Sequence, residues 1–214
     1  MNSDSAANGW GTAFLAIANT VDPAMRAAYE AWHTFEHVPE RLTMPGFMAG
    51  RRFVQDRGDD QHYLTLYDLE GPQALETAEY LHLLANPTPT SRQMRPHMGA
   101  FQRFVYGELA RFGTGCGRHL GILRWAAPSG NEAADLASLA ELIGNSGIVS
   151  LRVGRLLETP PHPAFPADPA SQPHRIALAS GTDSAGLRTA LQEIGGALGG
   201  DVLERGVYDL IVAY

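Results

Sequence analysis

Short apolar runs alternate along the chain with polar, turn-rich segments. Phe14 to Ala18 reads as a buried strand. Asp22-Pro23 opens a helix, with Asp22 as N-cap and Pro23 at the first helical position. That helix is expected to run to about Val38, because Pro39 disfavours helical geometry at the residue before it. Met25, Ala28, Trp32 and Phe35 fall on one apolar stripe of it. Pro45-Gly46 marks a turn, and Phe47 to Gln55 reads as a second strand. Arg57-Gly58-Asp59-Asp60 makes a hairpin into a third strand, His62 to Leu69, with Tyr63, Thr65 and Tyr67 on one face. A helix from Pro72 to near Ala85, a long connection and a strand from Ala100 to Ala110 complete the series.

The same order then recurs. Strands are expected at His119–Trp125, Val149–Glu158, Arg175–Ser180 and Val207–Tyr214, and helices at Glu132–Ile143 and Ser184–Leu198. Phe14 and Leu120 open matching strands 106 positions apart, and Tyr106 and Tyr214 close matching strands 108 apart. Such offsets imply an internal duplication. The expected fold is therefore α+β: two tandem ferredoxin-like β-α-β-β-α-β halves, residues 10–112 and 113–214. Each half leaves one sheet face bare, so the antiparallel sheets are expected to pack as an intrachain pseudo-dimeric α/β barrel. The second half carries a Pro-rich insertion at 159–174, expected to be a long loop.

Composition narrows the partners. With 16 Lys plus Arg in 214 residues and a net charge of −7, no basic stretch offers a footprint for nucleic acid or an anionic membrane. The first nine residues lack the basic start and apolar stretch of a signal peptide, and no run of about 18 apolar residues occurs. Cys116 is the single cysteine, so no intrachain disulfide forms. The expectation is a cytoplasmic protein, monomer or homodimer, whose partner is a small organic molecule.

The chemistry-bearing stretch is Trp32 to Arg41. Glu36 is an acid at the edge of the apolar stripe, with His33 one turn before it and Arg41 within reach. A Glu-His pair so placed can move a proton, which makes His37, Glu36 and His33 the catalytic candidates. His33 to His37 also matches H-x-x-E-H. A catalytic zinc needs a third protein ligand that no downstream motif supplies, so no metal or other cofactor is assigned. Arg41 and Arg52 are candidates for holding an anionic group. Tyr63 and Tyr67 are candidates for hydroxyl contacts, and His97 for reaching the mouth of the barrel.

The segment Trp32 to Phe47 resembles the W-x-x-x-E-H-x-P-E-R…P-G-F signature of the dimeric α/β-barrel superfamily, and in particular its EthD-like proteins. Tyr63 to Glu70 and the Ala85-Asn86-Pro87-Thr88-Pro89 turn are similar to the same group, over residues 10–110. The resemblance implies a ferredoxin-like fold with a cavity between sheet and helices. It singles out Glu36, His37, Pro39 and Arg41 without assigning their roles. The superfamily spans cofactor-free monooxygenases, cyclases, muconolactone isomerases and haem enzymes, so fold alone selects no reaction. The expectation is a small-molecule enzyme performing proton transfer, cyclisation or cofactor-free oxygenation. The alternatives are a non-catalytic binding or stress-response module, and a haem-binding barrel with a lone axial His.

Overall fold

The computed structural model describes residues 11–58, 60–126, 132–143, 147–159, 162, 172–196, 198 and 200–214. The N-terminal stretch, the tip of the expected hairpin at Asp59 and most of the 159–174 insertion lie outside the described residues.

The described residues cluster into two compact units, one from those of 11–107, 157–162 and 211–214, the other from those of 108–156 and 172–210. In the first, strand β1 (Ala13–Val21) pairs antiparallel with β3 (Asp60–Leu69) and β4 (Met98–Gly113), and β3 pairs with β2 (Phe47–Arg57). In the second, β5 (His119–Ala126) pairs with β7 (His174–Gly181) and β8 (Val202–Ala213), and β7 with β6 (Ile148–Leu156). The hydrogen-bonded order β1-β3-β2-β8-β5-β7-β6-β4 closes on itself, giving the eight-stranded antiparallel barrel of an α+β fold.

Each unit covers its sheet with helices. In the first, Leu15, Tyr67, Leu69 and Val105 pack under Val38, Tyr80 and Leu84. In the second, Leu123, Trp125, Leu151 and Ala177 pack under Leu139, Leu187 and Leu191. Leu139 belongs to α5 (Glu132–Ala140), and Leu187 and Leu191 to α6 (Ser184–Gly195).

The first helical region departs from the sequence reading. It comprises a 3-10 turn at Pro23–Met25, α1 (Arg26–Trp32), a π-helical turn at His33–His37 and α2 (Val38–Leu42). The helix thus passes Pro39 instead of ending before it. Asp22 makes no side-chain cap, because its carboxylate accepts from His97 Nδ1 at 2.8 Å. The apolar stripe is also displaced: Ala28 is exposed and Phe35 is 82% exposed, while Tyr29, Trp32, His33, Val38 and Arg41 are buried. The steps from 29 to 33 to 38 follow the wider π turn, which a uniform 3.6-residue period does not track.

Two further helices hold α2 and the sheet in place. Thr77 caps α3 (Ala78–Ala85) by accepting from Tyr80 N, and Thr88 caps α4 (Pro89–Met94) by accepting from Ser91 N. The long connection expected after Ala85 therefore contains a helix, announced only by Thr88-Pro89, an N-cap followed by proline at the first helical position.

Gly50 on β2 fixes how closely α2 approaches. A Cβ there would stand 2.8 Å from Val38 Cγ1, on a β-branched side chain that has little freedom to turn away. Gly50→Ala is expected to cost about 1–3 kcal/mol. The measurement is a lower urea midpoint at unchanged slope; an unchanged midpoint would show that α2 gives way freely.

Candidate functional site

The π turn brings two imidazoles of one helix face together. Val38 N–H bonds back to His33 O, five residues earlier. The rings of His33 and His37 stack at 4.6 Å between centroids, inclined by 27°. Trp32 closes on His37 at 4.3 Å and on His33 at 5.3 Å, and Tyr29 stacks on His33 at 5.0 Å.

The sheet supplies a cation against this aromatic group. Arg52, 1% exposed on β2, lies 5.5 Å from the Tyr29 ring centroid and 6.0 Å from that of Tyr63 on β3. Its Nη1 donates to Glu30 Oε2 at 2.9 Å and to Thr34 Oγ1. Tyr29 OH donates to Asn19 Oδ1 at 3.1 Å. Arg41 is buried, and its Nη1 donates to His37 O at 3.0 Å.

These surroundings set the protonation states. Burial, then the Arg52 and Arg41 charges, hold His33 well below the usual imidazole range. Burial, then Arg41, do the same for His37, so both are neutral at pH 7. Burial raises the hydroxyls of Tyr29 and Tyr67, against the opposing pull of Arg52 on the first and Arg41 on the second. Tyr63 is pushed up to about 12, by burial first and Glu30 next.

Several polar atoms here are buried without a partner: Nδ1 of His33 and of His37, Nε1 of Trp32, Nη2 of Arg52 and the hydroxyl of Tyr67. An unmet buried donor or acceptor costs about 1–3 kcal/mol, and five residues of this neighbourhood carry one. Both donors and acceptors are on offer, beside two guanidinium groups.

The sequence candidates divide accordingly. His33, His37, Arg41, Arg52 and Tyr63 lie in this one neighbourhood, with Tyr67 within the electrostatic reach of Arg41 and Arg52. Glu36 does not bond to either imidazole; it accepts from Thr88 Oγ1 at 2.5 Å and ties the π turn to the cap of α4. His97 faces Asp22. Tyr63 OH donates to Gln61 Oε1 at 2.8 Å. Among the described residues no group of three or more His, Cys, Asp or Glu is placed to hold a metal ion. Sequence reasoning missed Tyr29, Thr34 and Asn19. Tyr29 was legible at i−4 from His33, but Thr34 and Asn19 carry no signal of their own.

No family model matches the sequence, and no curated protein matches it. Solved structures do match it. An anthrone oxidase-like protein superposes with a TM-score of 0.63 at 11% identity, covering 96% of this chain and 94% of its own. A Fusobacterium nucleatum subsp. nucleatum protein provisionally named a monooxygenase gives 0.59 at 8% identity, covering 94% and 92%. A similarly named Lactobacillus acidophilus protein gives 0.53 at 11% identity, covering 94% and 93%. At these identities the likeness is one of fold, and it is near full length on both sides. The chain has the ferredoxin-like α/β-barrel architecture of these proteins.

Proposed function

We propose that the first unit binds a small organic molecule and removes a proton from it, with His33 or His37 as base and Arg52 and Arg41 stabilising the anion formed. The observation that carries this reading is the set of unpartnered buried atoms on His33, His37, Trp32, Arg52 and Tyr67. A neutral imidazole accepts a proton at its free Nδ1, and the electron pair left on carbon delocalises onto an enolate or phenolate oxygen. A depressed pKa keeps the base unprotonated at pH 7 but weakens it. The guanidinium groups offset this by lowering the energy of the anion formed beside them.

The names of the structural neighbours favour dioxygen as co-substrate. A methylene activated by two aryl groups and a carbonyl then becomes a ketone: one dioxygen is consumed, one oxygen atom enters the product and the other leaves as water. No external reductant is needed. Anthrone is the test compound. The expected result is anthrone-dependent dioxygen uptake with anthraquinone as product, falling by about 10²-fold in His33→Gln or His37→Gln, the size of a lost general base. Anthrone binding without turnover, and with no exchange of its methylene protons into deuterium oxide, would reduce the site to a binding module.

A further inference from the structure

Beyond the imidazole pair, the first unit carries arginines with no close carboxylate among the described residues. Arg41 reaches Glu40 only at 3.5 Å. Arg95, half-buried in the 3-10 turn after α4, and Arg103, half-buried on β4 opposite Ile17, have no carboxylate partner among the described residues. Arg103 Nε is buried without any partner. Phe101, two residues before Arg103, has its ring 6.3 Å from that of His162.

The charges sense one another. Arg95 is lowered by burial, then by Arg41 and Arg92. His162 is lowered to about 4 by burial, then by Arg103, Arg95 and Arg41, and Arg95 also acts on His37. No acid figures among these influences. On a protein of net charge −7, a group of arginines without an acid beside them among the described residues attracts an anion locally.

We infer that Arg95 and Arg103, together with Arg41, form an anion subsite that takes a carboxylate carried by the bound molecule. This rests on the small-molecule reading of the first unit and names the class of substrate: an aromatic or enolisable compound bearing a carboxylate at some distance from the reacting carbon. The planar fork of a guanidinium matches a carboxylate in two parallel hydrogen bonds, and the free Arg103 Nε–H is one such donor.

The test compares sodium benzoate with benzamide, alike in shape and differing in charge, by thermal unfolding of the full chain. Benzoate is expected to raise Tm and benzamide not. Arg95→Gln and Arg103→Gln, each at a half-exposed position, are expected to bind benzoate at least tenfold more weakly. Equal responses to the two compounds, no response to benzoate, or wild-type benzoate binding in both variants would overturn the subsite. Anthrone turnover by the wild type separates the two readings. Benzoate binding kept while turnover is absent in the wild type sinks proton transfer alone, whereas turnover without benzoate selectivity sinks the subsite alone.

Discussion

Asp135→Ala is expected to destabilise the second unit by about 3–5 kcal/mol, the usual cost of leaving a buried ion without its partner. Asp135 Oδ2 accepts from Arg175 Nη1 at 2.8 Å and from Trp125 Nε1 at 3.2 Å, and the Asp135 and Arg175 side chains are only 5% and 7% exposed. Without the carboxylate, Arg175 keeps, among the described residues, Glu132 at 3.5 Å, on a side chain open to water, and its Nε has no partner among them. Trp125, fully buried, loses its acceptor as well. Asp135→Asn retains an oxygen for one donor and should cost less. Urea unfolding measures both, and a loss under 1 kcal/mol for the alanine variant would show that the carboxylate does not carry the buried cation.

The second large effect is on pH dependence. His33 and His37 are held neutral in the folded protein, while an unfolded imidazole titrates near 6.5. Below that pH the unfolded chain takes up protons that the native state refuses. Stability is therefore complete above about pH 6.5 and falls as the pH drops toward the lowered native values. Two such groups remove about 2.7 kcal/mol between pH 7.5 and 5.5, at 1.36 kcal/mol each. The lowered His162 and His174 add losses of the same sign. Urea midpoints at the two pH values measure the total. The double variant His33→Gln/His37→Gln should lack their share of the decline, and an equal decline in that variant would mean that the imidazoles are protonated in the native state.

The strands were legible because β-pairing has a fixed period of two and the turns are marked by glycine and proline. Pro45-Gly46 is a turn, with Gly46 at φ 81°, and β2 starts at Phe47 as its sequence suggests. The candidate site was legible in its residue types and not in its wiring. His33, His37 and Arg52 stand out by type, but Glu36 was paired with His33 on helical spacing, and its partner Thr88 lies 52 positions away. No local pattern encodes such a contact. The two halves illustrate the same limit. Tyr29 bonds Asn19, and 106 positions later Asp135 bonds Trp125, the same two places with donor and acceptor exchanged. At the matching offset from His33 stands Leu139, fully buried. Spacing revealed the correspondence, and only side-chain geometry revealed that one half keeps a polar centre where the other has an apolar filling.

The π turn acts as a phase shifter. An α-helix advances about 100° per residue, so one surplus residue rotates everything beyond it by that amount. Tyr29, Trp32 and His33 are read in one phase, and Val38 and Arg41 in another, offset by a single position. In an unbroken α-helix of the same residues the eight steps from His33 would leave Arg41 about 80° round from it, and the surplus residue takes that back to about 20°. His37 and Arg41, four positions apart, share a side on any α-helix; it is His33 that the shift brings into line with Arg41.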